Sequence, residues 1–277
     1  MLPSLVLRRC AARTALFSAA RPSASTFVRH ISKKKARLAN VQVLWPIAGV
    51  DEPPQLLPHE IDFTNRLFKA ESKLITSTAD VDDLPEWTIP EIAFAGRSNV
   101  GKSSIINAIV GQPGLVRTSK TPGRTQKLHF FSVGGKVGSL PDLSLVDMPG
   151  YGFATAPKAV VDEWHDLVGG YIKKRRGSNL KTIYLLIDSR RGIAKVDEEF
   201  MDYLHDLGMI YQVVFTKADT VTIPELTKQI QKAQEIAMRI DRISMNPIIH
   251  VSSTKESFGI RELQRHMVSM TGMLLNR

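Results

Sequence analysis

Gly96-Arg97-Ser98-Asn99-Val100-Gly101-Lys102-Ser103-Ser104 carries the pattern G-x-x-x-x-G-K-[ST] between an apolar segment at 91–95 and a helical pattern at 102–110. Strand, glycine-rich turn, helix is the context this pattern requires. The glycines let the backbone wrap an anion, because they tolerate dihedrals that other residues do not. Backbone N–H groups from Gly96, Arg97, Ser98, Asn99, Val100, Gly101 and Ser104 and the helix N-terminus would then face a phosphate. In such a loop Lys102 bridges the β- and γ-phosphates and the Ser103 hydroxyl holds Mg²⁺.

Working outward, the chain after Pro90 alternates strand and helix, the pattern of a parallel sheet with helices on both faces. Strands are expected at 91–95, 126–133, 143–147, 181–188, 210–216 and 248–251. Helices are expected at 102–110, 158–176, 196–207, 223–240 and 260–275. A glycine-rich hairpin at 134–141 turns the second strand antiparallel to the third. The expected fold is therefore α/β, a Ras-like P-loop domain over 91–277 with a six-stranded, mostly parallel sheet. Residues 38–90 read as an N-terminal extension: irregular at 38–58, a short helix at 60–76 and a linker at 79–90.

Three more motifs fall at strand ends. Asp147-Met148-Pro149-Gly150 follows LSLV, where Asp147 would hold Mg²⁺ through a water and the Gly150 N–H would sense a γ-phosphate. Thr216-Lys217-Ala218-Asp219 follows YQVVF. A carboxylate there accepts from guanine N1–H and N2–H₂, an edge on which adenine offers no such pair, and the Lys217 stem would cover the base. Val251-Ser252-Ser253 ends the last strand, where a backbone N–H would meet guanine O6. Between the first loop and the second strand, Ser119-Lys120-Thr121-Pro122-Gly123-Arg124-Thr125 would reorder with the nucleotide. Thr125, directly before the strand, or else Thr121, would reach Mg²⁺. Each of these motifs is weak alone; their order is what makes them informative. The ligands expected are GTP and GDP with Mg²⁺.

GRSNVGKSS, TPGRTQ, DMPGYGF, DSRRG, TKAD and VSS, in this order, resemble the EngB/YihA family of ribosome-assembly GTPases over residues 84–276, with Trp164 and Tyr171 in keeping. The resemblance implies slow GTP hydrolysis and a role in assembling the large ribosomal subunit. Thr216 departs from GTPases at large, many of which have Asn there, but not from this family. Tyr151 stands where many GTPases place the Gln that orients water. Hydrolysis would then rest on Lys102, Mg²⁺, backbone groups and a K⁺ ion held through Asn99, with Arg124 a candidate cation in cis.

The net charge of +10 is local. Residues 1–50 hold nine of the 37 Lys and Arg residues and no acid, leaving 28 basic against 27 acidic residues beyond them. Bulk charge on the domain therefore excludes non-specific nucleic-acid binding as a main activity. Acid-free and rich in Arg, Ser and Ala, residues 1–37 read as a mitochondrial presequence, against a basic tail that binds RNA or membrane. One cysteine, Cys10, excludes an intrachain disulfide. The histidines lack metal-binding spacing. Lys173, Lys174, Arg175 and Arg176 suit a helix C-terminus, with rRNA contact as the alternative. Trp164 reads as core, and Arg190 and Arg191 as partners within the domain.

Together these readings predict a mitochondrial member of the family, a monomer acting in the matrix on the large ribosomal subunit, with no DNA partner and no membrane-spanning segment. The alternative is a GTP-dependent scaffold for mitochondrial mRNA translation or membrane association with little turnover. A tRNA-modifying GTPase would need a substrate domain for which the chain has no room.

Overall fold

The computed structural model describes residues 57–116, 127–136, 138–152, 157–237, 244–246 and 248–274, all within one compact unit. The presequence reading (1–37), residues 38–56 and the loop with Gly123, Arg124 and Thr125 lie outside the described residues.

The elements are α1 (Pro58–Lys69), β1 (Leu74–Thr78), β2 (Glu91–Gly96), α2 (Lys102–Val110), β3 (Leu128–Val133), β4 (Leu143–Asp147), α3 (Lys158–Arg175), β5 (Leu180–Asp188), α4 (Lys195–Asp206), β6 (Tyr211–Thr216), a 3₁₀ turn (Ala218–Thr220), α5 (Ile223–Ala237), β7 (His250–Val251) and α6 (Ile260–Thr271). The sheet order is β1-β3-β4-β2-β5-β6-β7. β1/β3 and β3/β4 pair antiparallel; the other pairs are parallel. Central strands alternate between two covered faces, as a two-residue period demands. Ile183, Leu185 and Ile187 of β5 meet α3, α4 and α5. Tyr184 and Leu186 meet the side built by α1, α2 and α6.

The α/β fold with helices on both faces holds, but the sheet has seven strands among the described residues instead of six. The additional strand is β1, where a helix over 60–76 was expected. The helix stops at Lys69, with Ala70 already extended (ψ 148°). Ile75-Thr76-Ser77-Thr78 is largely β-branched, which suits an edge strand. Leu74 and Ile75, read as part of that helix, are 51% and 41% exposed on the edge. Only His250–Val251 of the last expected strand pairs as strand.

The segment expected as a linker is fastened to the sheet by a buried carboxylate. Glu91 opens β2 and is fully buried. Trp87 Nε1 donates to it (2.7 Å), as does Tyr171 OH (2.9 Å), and Arg175 lies at 3.6 Å. Burial pushes the Glu91 carboxyl above its ordinary value, and these donors only partly offset that. Arg175 also donates to the Pro85 and Trp87 carbonyls, and Asn179 Nδ2 to those of Trp87 and Ile89. Arg175 is therefore a core residue and not an rRNA contact, and Arg176 donates to the Leu207 carbonyl. Of the four cations closing α3, Lys173, Lys174 and Arg176 are exposed, and Lys174 reaches back to the Val81 carbonyl (3.0 Å) and Asp82 (3.5 Å). No described helix is long and apolar enough to cross a membrane.

Arg175→Met should cost about 3–5 kcal/mol in urea unfolding, because it leaves a buried carboxylate without its cation. Adding Glu91→Gln should recover most of that loss. A single-variant cost below about 1 kcal/mol would show that the pair does not hold the segment.

Candidate functional site

In open parallel sheets, ligands bind beyond the carboxyl ends of the strands. Here β2, β4, β5 and β6 end together, and each runs into one of the motifs. Gly96 closes β2. A Cβ there would sit 2.8 Å from Val100 Cγ1 and 2.9 Å from the Leu186 carbonyl oxygen, so the turn admits only glycine. Asn99 (φ 65°) and Gly101 (φ 108°) take left-handed conformations that curl the loop. The loop closes with Val100 N–H donating to the Arg97 carbonyl at 3.2 Å, and α2 starts at Lys102. Ser103 is half-buried and Ser104 exposed at its first turn, where N–H groups have no partner within the helix.

The Asp147–Gly150 segment is drawn against this loop. Met148 N–H donates to the Phe94 carbonyl (3.0 Å) and Tyr151 N–H to that of Gly96 (3.4 Å). A Cβ on Gly150 would lie 3.3 Å from the Gly96 oxygen and 3.5 Å from Ser98 N, so any side chain there would press on the loop. Lys102 Nζ pairs with Asp147 Oδ1 at 2.8 Å, which puts cation, carboxylate and the Ser103 turn in one place.

Tyr151 points into the core and not over the loop. Its hydroxyl donates to Asp197 Oδ1 at 2.8 Å, and Arg97 Nε lies 3.2 Å from the same oxygen. Burial, reinforced by the Asp197 charge, holds the phenol well above its ordinary pKa, so it remains a donor. Arg97 also donates to the Gly192 carbonyl (3.0 Å) and is thereby a structural tie.

The second half of the site is built on β5 and β6. Thr216 Oγ1 donates to the Val100 carbonyl at 2.8 Å. Lys217, itself left-handed (φ 55°), sends Nζ to the Asn99 carbonyl (2.6 Å) and to Asp188 Oδ2 (2.9 Å). Burial disfavours the charge on Asp188, yet hydrogen bonds from Arg190 and Lys217 outweigh it and hold the carboxyl well below the usual carboxylate range. Arg190 pairs with Asp188 at 2.6 Å, the within-domain role read from the sequence. Ser253 Oγ donates to Asp219 Oδ1 (2.7 Å) and orients that carboxylate.

One reading is corrected. The Ser252 and Ser253 N–H groups are engaged by the Phe215 (2.7 Å) and Phe258 (3.0 Å) carbonyls, so neither is available to a base oxygen. Ser253 serves through its side chain, and Val251 is buried in β7. Among the described residues, the next N–H groups, Thr254 and Lys255, bond no backbone carbonyl. They are the donors left at this edge.

The structure thus brings Gly96 through Ser104, Asp147, Gly150, Thr216, Lys217, Asp219 and Ser253 to one edge of the sheet. No group of three or more His, Cys, Asp or Glu able to hold a metal occurs among the described residues. Ser103 with one carboxylate nevertheless fits Mg²⁺, which binds through one or two protein oxygens plus those of a phosphate ligand. The sequence reading did not single out Asp188, although DSRRG contains it, nor Asp197, for which the sequence holds no local signal.

A family model described as "50S ribosome-binding GTPase" matches residues 91–217. The chain is 50% identical over 189 residues to a "Probable GTP-binding protein EngB" of Chelativorans sp. (strain BNC1), covering 67% of this chain and 82% of that protein. It is 43% identical over 202 residues to the protein of the same description from Rhizobium etli, covering 72% and 91%. A solved structure described as a probable GTP-binding protein engB aligns with 26% identity and a TM-score of 0.49, covering 66% of this chain and 99% of that one.

Asp188→Asn should weaken binding of fluorescent GDP and GTP alike by roughly tenfold, about 1.4 kcal/mol, since Lys217 loses a charged partner while every phosphate contact remains. Equal affinity in the variant would show that Lys217 holds its place without Asp188.

Proposed function

We propose, because the chain belongs to the EngB family of P-loop GTPases, that it assembles the mitochondrial large ribosomal subunit as a GTP-controlled factor. The observation that carries this reading is the conjunction of an edge that gathers Gly96–Ser104, Asp147 and Asp219 with 50% identity over 82% of an EngB protein. The description of the matching family model, a GTPase that binds the 50S ribosome, supports the large subunit as partner. The acid-free, arginine-rich residues 1–37 support the mitochondrial matrix.

Lys102 and the N–H groups of the phosphate loop bind and orient the phosphates, and Asp219, held by Ser253, selects guanine. Ser103 and Asp147 would hold Mg²⁺, with Thr125 joining them in the triphosphate state. The ion supplies positive charge to the phosphate oxygens. Tyr151 cannot orient water while its hydroxyl is bound to Asp197. Turnover is accordingly slow, and Asn99 recruits K⁺ as a substitute cation. The GTP state presents one surface to the immature particle and the GDP state another, and the chain acts as a monomer.

Sedimentation tests this reading. Epitope-tagged protein with a non-hydrolysable GTP analogue should travel with immature mitochondrial large subunits, and Lys102→Ala should leave those subunits under-assembled with small subunits normal. A normal large-subunit profile in cells lacking the protein, with translation lost, would favour the GTP-dependent scaffold. A reporter fused to residues 1–40 should enter the matrix; a cytosolic reporter contradicts the assignment. GTP turnover should be faster in KCl than in NaCl, with the difference removed by Asn99→Ala; equal rates in the two salts would exclude the K⁺ role.

A further inference from the structure

Between α3 and α4, beside Tyr151 and Gly152, lies a cavity of about 300 Å³. Tyr151, Trp164, Phe200 and Tyr203 supply aromatic surface, and His165 and Glu199 stand at its mouth. The rings form one packed set: Tyr151 and Phe200 have centroids 4.6 Å apart, Trp164 and Phe200 5.6 Å. Tyr151 is anchored through Asp197 and Arg97, so this wall is rigid and pre-formed. An aromatic cavity open to solvent is the kind of pocket that receives an apolar anchor side chain.

The charges around it identify the occupant. The exposed charges of these two helices are mostly acidic: Asp162, Glu163 and Asp166 on α3 and Glu199, Asp202 and Asp206 on α4. Of these Glu199 lines the cavity and is paired with Lys195 at 3.7 Å. The Asp166 charge reaches Tyr203, which places it at the rim. A phosphate backbone would be repelled here, whereas a lysine- or arginine-rich polypeptide would be attracted.

We propose that this cavity docks a basic protein segment that inserts one apolar side chain between α3 and α4. The cavity shares Tyr151 with the network that braces Arg97 of the phosphate loop, but the proposal does not depend on the large-subunit reading. Nucleic acid and a second copy of this chain are the other occupants to be tested.

The test uses the full chain and a fluorescent lysine-rich peptide with a single central leucine. The peptide should bind, and replacing its leucine by alanine should weaken it roughly tenfold. The pair Glu199→Lys and Asp166→Lys, both exposed, should abolish binding while leaving GDP affinity unchanged, and Val161→Trp, which fills the cavity, should do the same. Absence of peptide binding, equal binding of the alanine peptide, or insensitivity to the charge reversal overturns the proposal. So does a single-stranded RNA whose binding the reversal weakens, or a dimer of the chain that the reversal dissociates.

Discussion

The contact on which the rest depends is the reach of Lys217 from the end of β6 to the Asn99 carbonyl at 2.6 Å, with Asp188 at 2.9 Å on its other side. It joins the ends of β5 and β6 to the turn after β2. Thr216 makes a parallel tie to the Val100 carbonyl. A phosphate loop has no side-chain core of its own, so its shape must come from what surrounds it. These two residues supply that from one side. Gly150, packed so closely that a Cβ would lie 3.3 Å from the Gly96 oxygen, supplies it from the other. Thr216, where many GTPases have Asn, ties the strand end to the loop: its hydroxyl reaches the Val100 carbonyl directly.

The same economy explains Tyr151. At the position where many GTPases carry a water-orienting Gln, this chain has a buried phenol that bonds Asp197 and, through it, Arg97. The loop's second residue is thereby fixed to α4, and Gly192 adds a further hold on it. A side chain so engaged is part of the scaffold. The rings around it leave a cavity instead of a sealed core, so the position is structural on one side and a surface for a partner on the other.

Much of this was legible in the sequence because motif and strand end coincide in a parallel sheet. Once 91–95, 143–147 and 210–216 read as strands, the Gly96 loop, Asp147 and Asp219 had to meet at one edge. What stayed hidden depends on contacts between distant residues. Glu91 looked like an ordinary first strand residue, and only the donors Trp87 and Tyr171 and the Arg175 charge reveal it as the clamp on the preceding segment. β1 was obscured because an exposed edge strand lacks a clean alternation of apolar residues. Ser252 and Ser253 were assigned by position, and hydrogen-bond bookkeeping moved the available N–H groups to Thr254 and Lys255.

The central claim is that Asp219 reads guanine at an edge assembled from these strand ends. Competition for a fluorescent GDP probe measures it directly, in the unmodified chain and in Asp219→Asn. The account predicts that GTP displaces the probe and ATP does not, and that the variant turns from GTP toward XTP, whose carbonyl oxygen in place of the guanine amino group pairs with the new amide donor. ATP competing as well as GTP in the unmodified chain, or a variant with unchanged preference, would contradict it.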